Sequence, residues 1–230
     1  MHIPNAWLIP AREARELVAP WFQKHHTGAD LARTLDEDLM FASADSGDVL
    51  ALPAGTVIDG DLVLEWTEAN VQGRPIRGLL ALGRLTIDGD IRNDNCDGGP
   101  FLIALGPLDV RHVLKRAAPL VAFGPVRAAG TIYCEYNHGL FRALAGISAE
   151  GIIMDDHSHE LAGAIDAPVA VLDAGAPHAH DPQDLLLPQF FDEEDDYGRV
   201  YPIDDVNLML RQRILAGEPV FRAEAPRGRP

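Results

Sequence analysis

The sequence predicts a mainly β fold, a right-handed parallel β-solenoid over roughly Val57 to Leu161, with helical N- and C-terminal additions. Three observations point there. Small-residue turns recur about every 20 residues, short alternating apolar runs surround them, and the helical period of the opening segment disappears after Gly55. The turns are Gly60-Asp61-Leu62, Gly83-Arg84-Leu85, Gly106-Pro107-Leu108, Gly124-Pro125-Val126 and Ala145-Gly146-Ile147, at intervals of 23, 23, 18 and 21 residues. A period of this size with no helix inside it is that of a solenoid coil. One coil cannot bury its inward aliphatics alone, whereas stacked coils pair strands about 4.8 Å apart and share a core. Glycine suits the corners because it tolerates positive φ. Leucine-rich repeats have a similar period but need leucine and asparagine positions missing here. A β-sandwich of evenly spaced hairpins is the rival, since strand signals do not reveal pairing.

The elements follow in order. Pro10 can open a helix, and Ala14, Leu17, Val18, Trp21 and Phe22 recur at helical spacing until Lys24-His25-His26-Thr27-Gly28. A second helix fits Asp30 to Leu39, and the turn-rich Ser43 to Asp48 leads out of it. Beyond Leu161, Ala167 to Leu172 reads as a last strand. A helix from Val206 to Ala216 then follows, capped by Asp204 or Asp205 and stopped by Gly217. The expected organisation is therefore a helical segment (1–48), the solenoid (49–175), and an acidic loop with the C-terminal helix (176–230), all in one structural unit. The terminal helices are expected to cover the solenoid's open ends, whose strand edges would otherwise aggregate.

Composition narrows the function. An apolar content of 47% with 23% charged residues is that of a folded protein. No run of about 18 apolar residues is present, and Met1-His2-Ile3-Pro4-Asn5 does not resemble a signal peptide. Cys96 and Cys134 stand far apart and fit reduced thiols, which implies a cytoplasmic location, with a single disulfide as the lesser alternative. The net charge is −16. Residues 181–205 hold nine acids against Arg199 alone, a net −8. Such a field disfavours nucleic acid and anionic membrane and attracts a basic protein. The bland alternative is a solubilising loop.

Six of nine histidines lie between His112 and His180. Two polar clusters stand out, Tyr136-Asn137-His138-Gly139 and Asp155-Asp156-His157-Ser158-His159. His138 and His157 are 19 residues apart, close to one coil, so they are expected to stack. Three readings follow. His138 and His157, with His159 or with His178 and His180, could ligate zinc or another divalent metal that activates water. His138 or His157 with Asp155 could form a catalytic base and its orienter. The third reading is a polar ladder that ties the turns together. The ladder is favoured, because no HExxH, CxxC or nucleophile-elbow motif accompanies these residues.

The succession Leu79-Leu80-Ala81-Leu82-Gly83-Arg84-Leu85, then Tyr136-Asn137-His138-Gly139, then Asp155-Asp156-His157, resembles a group of bacterial β-helical proteins associated with polymorphic-toxin immunity. The tail Leu215-Ala216-Gly217-Glu218-Pro219-Val220 is similar too, so the resemblance spans about residues 55–220. It shades into the bactofilin-type polymer-forming β-helices. It implies the fold and no catalytic residues. The expected function is non-catalytic binding of a basic partner, such as a toxin domain, through Asp192, Glu193, Glu194, Asp195 and Asp196 with Tyr136 and Asn137. A metal-assisted hydrolase is the alternative, and a self-assembling solenoid (a homo-oligomer) the third.

Overall fold

The computed structural model describes residues 3–24, 47–71, 73–136, 139–172, 181–192 and 201–227. The chain enters through β1 (Trp7–Pro10) and α1 (Ala11–Phe22). Six coils of three short strands follow among the described residues. The first is β2 (Asp48–Leu52), β3 (Thr56–Ile58) and β4 (Leu62–Val63). A hairpin strand, β5 (Asn70–Val71), precedes the second coil, β6 (Arg74–Ala81), β7 (Leu85–Ile87) and β8 (Ile91–Asn93). The third is β9 (Phe101–Ala104), β10 (Leu108–Val110) and β11 (Val113–Lys115). The fourth is β12 (Leu120–Ala122), β13 (Val126–Ala128) and β14 (Thr131–Glu135). Then come β15 (Leu140–Ala143), β16 (Ile147–Ser148) and β17 (Gly151–Asp155). The last coil is β18 (Ser158–Leu161), β19 (Ile165–Asp166) and β20 (Val169–Val171).

Every pairing between coils is parallel, which decides for the solenoid over the sandwich. The first, second and third strands of the coils stack into sheets A, B and C. Inward positions align into columns. Leu50, Leu79, Leu102, Leu120 and Phe141 stack on sheet A, and Leu62, Ile91, Val113, Ile132 and Ile152 on sheet C. All are buried in one continuous core. Each such aliphatic removed from water contributes about 1.5–3 kcal/mol, so the column is the main stabilising feature of the fold.

The first turn of the sequence pattern is out of register. Gly60 lies at the B–C corner, and Leu62 pairs with Ile91, not Leu85. The true partner of Leu85 is Thr56, because the β5–β6 hairpin lengthens the first coil. The corner glycines meet the expectation in part: Gly60 (φ +81°) and Gly146 (φ +100°) adopt positive φ, and Gly83, Gly106 and Gly124 do not. These last three stack on one another so closely that a Cβ on Gly106 would stand 2.5 Å from the Gly83 carbonyl carbon, and one on Gly124 2.2 Å from that of Gly106. Crowding, not φ, requires glycine there. The A–B corner is also constant in length. Leu52 to Thr56, Ala81 to Leu85, Ala104 to Leu108, Ala122 to Val126 and Ala143 to Ile147 all span four residues. The C–A corner varies, with Leu62 to Leu79 spanning 17 residues and Val113 to Leu120 spanning 7.

The terminal elements cover faces, not ends. α1 lays Ala14, Val18 and Phe22 on the outer side of sheet A, against Val49, Leu80, Ile103 and Val121. The N-terminal edge of that sheet is closed instead by β1, antiparallel to β2 where only helix was expected. A short helix α2 (Pro182–Leu185), a 3-10 turn (Pro188–Phe190) and α3 (Val206–Leu215) cover sheet C. There Leu185, Phe190, Leu210 and Ile214 bury Leu114, Tyr133 and Ile153. Asp205 occupies the N-cap of α3 without a side-chain cap bond, and Gly217 (φ +69°) ends it. The expected helix over Asp30–Leu39 lies outside the described residues. No helix among the described residues is long and apolar enough to cross a membrane.

Candidate functional site

The polar residues converge where sheet C turns into sheet A. Asn93, Lys115, Cys134 and Met154 follow one another in register at the ends of β8, β11, β14 and β17. All four are buried, in a column otherwise built from apolar side chains. Asn93 is satisfied there: its amide donates to the Leu64 carbonyl at 2.9 Å, and its oxygen accepts from Ala118 N–H at 2.8 Å. Lys115 is the anomaly. Its ammonium donates to the Arg116 carbonyl at 2.8 Å and meets His157 Nε2 at 2.8 Å, and no carboxylate stands among these contacts. Burial lowers its pKa to about 8.

His157 Nδ1 lies 2.9 Å from the Tyr136 carbonyl, which can only accept. Nδ1 therefore carries the proton, and Nε2 accepts from Lys115. Burial, reinforced by the Lys115 charge, lowers the imidazole pKa to about 3. Both ring nitrogens are engaged within the protein, leaving no lone pair for a metal while these bonds hold. The ring occupies the place of an absent side chain at Gly139, where a Cβ would stand 1.9 Å from Cε1. Tyr136 and Asp156 both adopt positive φ (85° and 44°), so the two corners that meet here carry non-glycine residues in the left-handed region. Cys134, beside Lys115, is a free thiol whose pKa burial raises to about 12.

Outside the barrel wall a second network ties α3 to sheet C. Glu135 Oε1 accepts from Arg116 Nε and, at 3.1 Å, from Arg211 Nη1. Arg211 also pairs with Asp94. The Tyr133 hydroxyl lies 2.7 Å from Glu135 Oε2 and 2.6 Å from Asn207 Oδ1, while Asn207 Nδ2 donates to Asp155 Oδ2 at 2.7 Å. Burial and then the Glu135 charge hold the phenol far above its usual range, so it stays a donor. Cys96 accepts from Arg116 Nη1 at 3.6 Å on the rim.

Two residues the sequence placed together thus face different neighbours. Asp155 turns outward to the helix, and His157 turns inward to Lys115. His159 is exposed, with Nδ1 2.9 Å from the His157 carbonyl. Asn137, His138, His178, His180 and Glu193 to Asp196 lie outside the described residues. Among the described residues no three His, Cys, Asp or Glu side chains group at metal-binding geometry. Lys115, Glu135, Arg116, Asn207 and Arg211 were not anticipated. Lys115 had a signal: in Val113-Leu114-Lys115, strand alternation puts the lysine on the same inward face as Val113.

The acidic segment is anchored at both sides. Asp181 caps α2 through Gln183 N–H at 3.0 Å. Phe191 bridges Pro202, and Asp192 N–H donates to the Tyr201 carbonyl at 2.9 Å, closing the base of the loop. Phe190 and Val206 bury the flanks against sheet C. No protein-family profile, curated protein or solved structure matches this chain.

Proposed function

We propose that this protein is a non-catalytic binding protein, a stiff solenoid that presents an acidic loop to a basic partner. The chemistry fits an immunity protein that neutralises a bacterial toxin domain in the cytoplasm. The observation that carries this reading is the closed base of the 192–201 segment. Half of the net −8 charge of residues 181–205 falls in this segment, whose two ends are joined beside sheet C. An acidic segment tethered at both ends to a rigid scaffold speeds encounter with a cationic partner. The inward-turned Lys115–His157 pair and the internally satisfied Glu135 network agree with a structural role for the other polar groups. The resemblance of the Tyr136-Asn137-His138-Gly139 and Asp155-Asp156-His157 corners to immunity-associated β-helices points the same way.

The test is kinetic. Purified basic domains of similar size and differing shape are titrated against the wild type and against a variant with Asp192, Glu193, Glu194, Asp195 and Asp196 changed to Asn or Gln. The reading requires one domain to bind selectively, with an association rate that falls with salt and falls again in the variant. Uniformly weak association that ignores the substitutions would overturn it.

A further inference from the structure

We infer that Lys115 and His157 form a proton-sensitive latch, which holds the last coil closed at neutral pH and releases its corner on acidification. The geometry forces this behaviour. With Nδ1–H committed to the Tyr136 carbonyl, a second proton on the imidazole must sit on Nε2, 2.8 Å from the Lys115 nitrogen. Two cationic donors would then face each other with no acceptor between them.

The surrounding groups offer no relief. From β11 His157 faces Lys115, and from the corner after β14 it faces the carbonyls of Glu135 and Tyr136. On its own side it faces His159, whose electrostatic effect also opposes a proton on His157. Behind Lys115 stands the Cys134 thiol, held protonated. Glu135 spends its carboxylate on Arg116, Arg211 and Tyr133, and Asp155 turns to Asn207. The lysine stem is enclosed by the core and cannot withdraw. The imidazole is 8% exposed at the corner and can. Its departure vacates the space over Gly139 and unties the Tyr136 corner from the Asp156–His157 corner, at the junction of β15 and β18.

An imidazole of ordinary pKa 6.5 in the open corner, and much lower in the closed one, makes opening about 25-fold more frequent at pH 5 than at pH 7. Native-state hydrogen exchange, corrected for intrinsic rates, reads this directly. Protection of Tyr136 N–H, bonded to the Asp155 carbonyl, and of Gly139 N–H should fall by about that factor. Leu102 N–H, bonded to Pro119 in an earlier coil, should not follow. The fall should vanish in His157→Gln. A fall shared equally by Leu102, a fall that survives in His157→Gln, or no fall at all would overturn the latch. Should His157→Gln not fold, the wild-type imidazole resonances decide. His157 must stay neutral with Nδ1 protonated at pH 5, and a midpoint near 6.5 in the folded protein would overturn the proposal.

Discussion

Gly139 and the His157 ring share one space: the imidazole fills the volume that any side chain at 139 would need. The Arg116 carbonyl closes the other side, 2.2 Å from the same hypothetical Cβ. Neither neighbour gives way cheaply, since one is backbone and the other is held at both nitrogens. Gly139→Ala is therefore expected to destabilise the protein by about 2–3 kcal/mol. The melting temperature should drop by roughly 5–10 °C. A melt within a degree of wild type would show that the corner adapts.

Lys115 should leave a signature at alkaline pH. Its pKa falls from 10.5 to about 8 in the folded chain. Between those values the unfolded chain binds a proton that the folded chain lacks, so this contribution to stability rises with pH across that window and is smallest below pH 8. The full rise is on the order of 3 kcal/mol. Urea unfolding of wild type and Lys115→Met at pH 7.5 and 10 isolates it. Wild type should gain on the variant as pH rises, and parallel curves would mean that the amine is hydrated in the folded state.

The helix contact is testable by a double-mutant cycle. Glu135 serves both Arg116 on the solenoid and Arg211 on α3. Arg211→Met strands part of a buried carboxylate and should cost about 1–3 kcal/mol, less than a lone buried pair because Arg116 remains. The coupling with Glu135→Gln should exceed about 1 kcal/mol, whereas independent surface residues would add without coupling.

Metal is expected to matter little to the corner. Equimolar zinc or a chelator should shift the melting temperature by less than about 1 °C, since both His157 nitrogens are already engaged. Stoichiometric metal in the purified protein, lost in His138→Ala and in His157→Ala, would replace the ladder by a metal centre.

The solenoid was legible because inward aliphatics such as Leu85, Leu108, Val126 and Ile147 repeat at the coil spacing. The first coil was misregistered because a glycine marks both corners of a three-sided coil, and Gly60 mimics the one that Gly83 occupies. The site was only half legible. His157 could be placed at a corner from its spacing, but its partner Lys115 lies 42 residues away, and pairing at that distance depends on stacking that sequence does not display. Arg211 and Asn207 were hidden for a related reason: the apolar face of α3 (Val206, Leu210 and Ile214) is a local pattern, but which side of the solenoid that face covers is set by tertiary packing.

The unequal corners make this fold extensible along one line only. Four-residue A–B turns with stacked glycines leave no room for an added residue, because an insertion there would break the contact of Gly106 with Gly83 and of Gly124 with Gly106. The C–A edge already absorbs a hairpin in the first coil and holds only a short bend in the third, with the inward columns undisturbed. A peptide grafted at Gly73, in the β5–β6 hairpin where a Cβ would meet nothing within 4 Å, should thus be carried by the scaffold, while one placed at Gly106 should abolish folding.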